Sequence, residues 1–104
     1  MLNIDAEFSG VVKTWRDSKS TWYYVSLPRE KSEEIQFFSQ NYQVKRRGWG
    51  AVRVDVHIGD TIWQTSIFPA FENGIYQLFL KAEVRKRECI QEGDTVSVRL
   101  TAHF

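Results

Sequence analysis

The sequence predicts a mainly β fold, a small barrel or sandwich of about six strands with two short helices. Apolar and polar residues alternate over much of the chain, most clearly in Val52–Ile58. Glycine stands beside Asp or Asn between such runs, which is typical of tight turns between antiparallel strands. Of the 104 residues, 42% are hydrophobic and 14% are aromatic, so one core and a single domain over residues 1–104 are expected.

Six segments carry the predicted strands. The first continues past Gly10, where the chain is expected to bend or bulge. The turn Gly59-Asp60 is expected to join two strands into an antiparallel hairpin, and Pro69 is expected to end its second strand because proline lacks an amide donor. The six strands are residues 4–15, 21–27, 52–58, 61–68, 75–80 and 95–104.

Two segments break the alternation and predict helices. Ser32 is expected to cap the first, because two glutamates follow it at the positive end of the helix dipole. Ile35, Phe38 and Tyr42 then form a narrow apolar stripe. The second helix covers about residues 81–88 and is basic toward its negative end. Both are too short to be stable alone, so they must pack on the strands.

Charge and cysteine content exclude several classes of protein. Fourteen basic and thirteen acidic residues give a formal charge of +1, so no global field draws the protein to nucleic acid or to a membrane. The single Cys89 rules out an internal disulfide framework. The chain has no apolar run of membrane-spanning length and begins without a signal-like segment, so a cytoplasmic protein is expected.

Three motifs in order are similar to those of the domain-of-unknown-function family numbered 1905. They are Arg47-Gly48-Trp49-Gly50-Ala51-Val52-Arg53-Val54, then Trp63-Gln64-Thr65-Ser66-Ile67-Phe68-Pro69, then Val84-Arg85-Lys86 with Gly93-Asp94-Thr95-Val96. The resemblance covers nearly the whole chain and implies a six- to seven-stranded double-split β-barrel capped by two short helices. Phe79 departs from the proline that usually precedes the family's second helix. The resemblance implies no established activity.

A more distant similarity concerns the spacing of Arg85, Gly93-Asp94, Val96 and Val98. It resembles the swapped-hairpin transcription regulators of the AbrB type, which build a comparable barrel from two chains and bind DNA. The Gly-Asp turn has a plain structural reason, since glycine permits the reversal and Asp bonds nearby amides. The similarity therefore bears on the fold more than on DNA binding.

The sequence does not predict an enzyme, a metal site or a cofactor. Ser66, His57 and Asp55 are the best candidates for a nucleophile, base and acid, but Asp55 and His57 lie two positions apart on one strand, roughly 7 Å by strand rise. No Gly-x-Ser-x-Gly elbow supports Ser66. The possible metal ligands, among them His103 and Cys89, have no ligand-like spacing.

Basic and aromatic residues give the predicted binding site. The 45–53 loop and the second helix are expected to converge at one barrel end. Separately, aromatic residues beside the polar Thr65 and Ser66 of the fourth strand would suit a small ligand or a peptide groove. An alternative for the helix cations is a surface network with Glu83, Glu88 or Glu92. The candidate ligand- or partner-binding residues are Arg47, Trp49, Arg53, Trp63, Thr65, Ser66, Lys81 and Arg85.

The expected function is a non-catalytic module that binds a partner protein or a small ligand. Nucleic-acid binding through the same residues is the alternative, and an unrecognised enzyme is a second one. A monomer or weak dimer without membrane contact is expected. Not all of the aromatic residues can be fully buried in so small a barrel, and the candidates for a surface or pocket-lining set are Trp15, Trp22, Tyr23, Trp49, Trp63 and Phe71. The preferred alternative is that they form a belt in the core and caps under the two helices.

Overall fold

A computed structural model describes residues 2–42, except the side chain of Tyr42, and residues 50–104. Within these ranges the chain forms seven strands and two helices, and neither helix is long and apolar enough to cross a membrane. The elements are β1 (Asn3–Val11), β2 (Lys13–Arg16), β3 (Thr21–Ser26), α1 (Arg29–Tyr42), β4 (Val52–Ile58), β5 (Thr61–Pro69), β6 (Tyr76–Phe79), α2 (Ala82–Arg87) and β7 (Thr95–His103).

The strands form one antiparallel sheet in the order β1-β7-β4-β5-β6-β3-β2. Only Val12 separates β1 from β2 along the chain, yet these strands stand at opposite ends of that order. The sheet therefore curls into a barrel whose ends meet in one bent strand. The mainly β, barrel-like fold predicted from the sequence is confirmed.

Two strands each change partner along their length. β5 pairs with β4 from Thr61 to Ile67 and with β6 only through Phe68 and Pro69. The bent strand pairs first with β7 through β1 and then with β3 through β2. These two changes of partner divide the barrel into two half-sheets, which is the double-split arrangement that the family resemblance implied.

The bend in the first strand lies at Val12 and not at Gly10, where it was predicted. The N–H of buried Val12 donates to the carbonyl of Asp94, and its carbonyl accepts from Gly93, both at 2.8 Å. Gly10 has a different role, because a Cβ there would lie 3.2 Å from Cγ1 of Val25. The glycine allows β1 to approach β3 closely, and the turn before β7 fixes the bend.

Helix α1 begins at Arg29, earlier than predicted, and Ser32 does not cap it. The chain turns into the helix directly after Pro28, whose carbonyl accepts the N–H of Ser32 at 2.9 Å. The side chain of Ser32 is buried, and its Oγ accepts the N–H of Tyr76 at 3.0 Å. Ile35 is fully buried, so this face of α1 packs on the strands as expected.

The β4–β5 hairpin and α2 form as predicted and contact each other. Gly59 adopts a φ of 57° at the turn, and Val84 anchors α2 in the core. Glu88, directly after α2, accepts a hydrogen bond from Oγ1 of Thr61 at 2.6 Å, and its carboxylate lies against Gly59. The second helix is therefore fixed to the tip of the hairpin.

Candidate functional site

The ladder between β5 and β6 opens into a cleft beside α2. The pairing of Phe68 with Gln77 would, if continued, place Thr65 opposite Leu80, but this pair does not form. The rest of β5 pairs with β4 alone, while β6 ends at Phe79. The opening, named here the β5–α2 cleft, has a volume of about 330 Å³, which falls in the range of small-ligand sites.

Aromatic side chains from three strands line the cleft. Trp63 and Thr65 lie opposite Val56 and Val54 of β4, so they share the inward face of the hairpin. β3 and β6 contribute the other rings, and the Trp22 and Phe79 rings meet edge to face at 6.1 Å. The cleft-lining residues are Ser20, Thr21, Trp22, Tyr23, Trp63, Thr65, Phe79, Leu80, Lys81, Ala82 and Arg85.

Two cations, Lys81 and Arg85, stand at the cleft where α2 begins. Nε of Arg85 donates to the carbonyl of Leu80 at 3.0 Å, and its guanidinium carbon lies 3.8 Å from the ring centroid of Tyr23. This cation–π contact and the hydrogen bond together hold the side chain in one orientation.

Neither cation forms an ion pair with any residue of the described ranges 2–42 and 50–104. Glu88 bonds to Thr61 instead, and Glu92 bonds to Thr14 and Arg16. The network with Glu83, Glu88 or Glu92, which the sequence left open as an alternative, therefore does not form. Both positive charges are available to an anion in the cleft.

The remaining predicted site residues lie elsewhere. Arg53 and Ser66 are opposite each other on the outward face of the hairpin, where Nη1 of Arg53 donates to Oγ of Ser66 at 3.3 Å. They do not line the β5–α2 cleft. Arg47 and Trp49 fall outside the described residues, so the predicted convergence of their loop with α2 stays a prediction.

Several of the aromatic residues expected at the surface are indeed exposed. Trp15 is 56% exposed, Trp22 is 47% exposed and Phe71 is fully exposed. Tyr23 and Trp63 line the cleft together with Trp22. Phe79, which also lines it, was not among the predicted site residues. Its only signal in the sequence was its departure from the proline usual in the family.

The outer face of β1, β7 and β4 does not assemble the serine, histidine and aspartate considered from the sequence. Asp55 Oδ2 is 2.7 Å from Nε2 of His103, while Nε2 of His57 is 2.7 Å from the carbonyl of Gly59. The hydrogen bond from His103 is the main reason that the pKa of Asp55 is lowered from its ordinary value. Within the described ranges, no cluster of three or more His, Cys, Asp or Glu side chains is arranged to hold a metal ion.

A second depression, of about 380 Å³, lies on this outer face. Most of its polar side chains already bond to residues on adjacent strands. Oγ1 of Thr101 donates to Oδ1 of Asp5 at 2.8 Å, and Nε of Arg99 lies 3.7 Å from Oε1 of Glu7. A ligand would have to break these contacts, whereas the two cations of the β5–α2 cleft have no acidic partner among the residues that the structure describes. The cleft is therefore the stronger candidate site.

The fold and the cleft together define a small split β-barrel domain with an aromatic, cation-bearing opening. The chain belongs to the family described as "Domain of unknown function (DUF1905)", whose family model matches residues 8–100. No curated protein matches the sequence. The family resemblance given above on three sequence motifs is thereby confirmed.

Proposed function

We propose that this domain is a non-catalytic binding module whose site is the β5–α2 cleft. The ligand presents an anionic group to Lys81 and Arg85 and a flat apolar part to the aromatic walls. One observation carries the proposal: two cations without an ion-pair partner in the described chain stand at an aromatic-lined opening in the barrel. Sites of this kind combine apolar walls with a few polar groups that orient the ligand.

The chemistry of Arg85 supports an anionic ligand. Its contacts with Leu80 and Tyr23 use Nε and one face of the guanidinium, which leaves both terminal nitrogens able to donate. A guanidinium held in this way binds a carboxylate or phosphate with little further loss of side-chain entropy. Lys81 adds a second charge from the residue that precedes α2.

The test is a titration with benzoate and phenyl phosphate, followed by backbone amide chemical shifts. Saturable shifts are expected at Trp63, Thr65 and Lys81, with benzyl alcohol as the uncharged comparison. Lys81→Glu should weaken binding by about tenfold or more, which corresponds to ~1.4 kcal/mol. Lys86→Glu, in α2 but outside the cleft lining, should leave the affinity unchanged. Absence of saturation, or equal effects of the two variants, would overturn the proposal.

Nucleic acid is the alternative ligand, because Arg85, Lys86 and Arg87 follow one another on α2. A mixed-sequence oligonucleotide in the same titration separates the two functions. Binding that weakens steeply with added salt and is lost in Lys86→Glu as much as in Lys81→Glu would favour the alternative.

The compartment we propose is the cytoplasm. The exposed Cys89 is a free thiol, and such a thiol persists more readily in a reducing compartment.

A further inference from the structure

We infer that the occupant of the β5–α2 cleft is the carboxyl end of a peptide, bound as a short extra strand along β5. This inference rests on the proposed function and names the partner class for the same site. It depends on a feature that a small anionic ligand does not use, namely the unpaired backbone edge of β5.

Between Ile62 and Ser66, β5 has a ladder partner on one side only. That partner is β4, and no residue of the described ranges pairs with the other side of this segment. In an antiparallel ladder, alternate residues direct their N–H and C=O groups away from the partner strand. In β5 these residues are Ile62, Gln64 and Ser66, whose free groups point to the side on which the chain runs on from β6 to the cleft-lining Leu80. An open row of this kind is a template for another chain.

The opposite side of the cleft cannot serve as a second template in the same way. The N–H of Leu80 already donates to the carbonyl of Tyr23 at 2.8 Å, and its carbonyl accepts from Arg85. A strand entering the cleft therefore pairs with β5 and contacts the other wall through side chains. The segment from Ile62 to Ser66 has five residues without a partner on the β6 side. Because paired strands have nearly the same rise of about 3.3 Å per residue, it can pair with roughly five residues of a peptide.

The cations define which end of a peptide the cleft accepts. Lys81 and Arg85 stand at the cleft without an ion-pair partner in the described residues, and a terminal carboxylate is the anion that every peptide carries at one end. The rings of Trp63 and Tyr23 line the same opening and favour an aromatic or large aliphatic side chain at the last position. Backbone pairing supplies affinity, and the carboxylate and last side chain supply orientation and selectivity.

The experiment uses a hexapeptide of alternating valine and threonine that ends in phenylalanine, with a fluorescent label at its amino end. Because backbone pairing makes few demands on sequence, one such peptide suffices. Fluorescence polarisation compares the free acid with the same peptide as a carboxyl-terminal amide. We expect the amide to bind at least about tenfold more weakly, a difference of ~1.4 kcal/mol.

Hydrogen exchange of the whole domain then reports strand pairing directly. With the free-acid peptide, alternate amides between Ile62 and Ser66 should exchange more slowly, and benzoate should not produce this protection. A peptide methylated on alternate backbone nitrogens should not protect the β5 amides, because it lacks the N–H groups that pair with the strand. Lys81→Glu should weaken binding of the free-acid peptide and leave the weak binding of the amide peptide unchanged. Lys86→Glu should change the binding of neither peptide.

The outcomes separate the inference from the proposed function. If benzoate or phenyl phosphate binds at the cleft but the peptide gives no protection of β5, the inference is overturned and the proposed function stands. If the free acid and the amide bind equally, recognition of the carboxyl end is overturned. If neither the small anions nor the peptide binds, both proposals fail.

Discussion

His103 connects three strands on the outer face of the barrel. Its Nδ1 lies 3.0 Å from Oδ1 of Asn3 on β1, and its Nε2 lies 2.7 Å from Oδ2 of Asp55 on β4. Because the hydrogen bond from His103 favours the ionised carboxylate, the pKa of Asp55 lies below its ordinary value. The stability that this shift contributes is complete above the ordinary carboxyl pKa and is lost as the pH falls through the lowered value.

Replacing His103 should change the pKa of Asp55 and of no other carboxyl group. In His103→Ala we expect the pKa of Asp55 to rise toward its ordinary value, as measured by carbon-13 NMR titration of the side-chain carboxyls. Asp17 is the internal control, since its pKa is lowered mainly by the amides of Lys19 and Ser20 in its own turn. An unchanged pKa of Asp55, or an equal rise in the pKa of Asp17, would contradict the role assigned to His103.

Residue by residue, the sequence predicted part of the cleft. It selected Trp63, Thr65, Lys81 and Arg85, which the fold brings to one opening. It also selected Ser66, although neighbouring residues of a strand point to opposite faces. The contact between Arg85 and Tyr23 could not be predicted from the sequence, because it depends on a pairing of β3 with β6 that no local pattern specifies.

Among the elements, those set by local signals were predicted best. The β4–β5 hairpin follows from alternation on both sides of Gly59-Asp60, and its ladder closes at Ile58 and Thr61. The start of α1 was misplaced because Ser32 followed by two glutamates resembles a cap. The side chain instead serves a tertiary contact with Tyr76, 44 positions away, which the sequence does not reveal.

Ser32 should accordingly matter to the attachment of α1 rather than to its initiation. Ser32→Ala removes the acceptor of the Tyr76 amide at a buried position, and we expect a loss of about 1–3 kcal/mol in the free energy of unfolding. Urea denaturation measures it. Ser97→Ala, at an exposed position of β7, is the matched control and should change little. Equal small effects would show that the Ser32 contact contributes nothing.

At the scale of the whole molecule, the barrel depends on how closely the bent strand approaches β3. Gly10→Val would force side-chain atoms into the space next to Val25, and we expect the free energy of unfolding to fall by about 1–3 kcal/mol. Ser9→Val, the neighbouring and exposed position, is the control and should be neutral or stabilising because valine favours strands. Thermal and urea unfolding followed by circular dichroism compares the two. A Gly10→Val domain as stable as the control would contradict this account of closure.

The pairing of β1 with β7 joins segments that are far apart in the sequence, which affects how the chain folds. His103 bonds to a residue 100 positions earlier, so this ladder closes a loop that spans nearly all of the described residues. Closing such a loop costs entropy before its contacts are gained, and folds rich in distant pairings form slowly. During synthesis on a ribosome, β1 would remain unpaired until β7 emerged. The hairpin of β4 and β5 could form well before then.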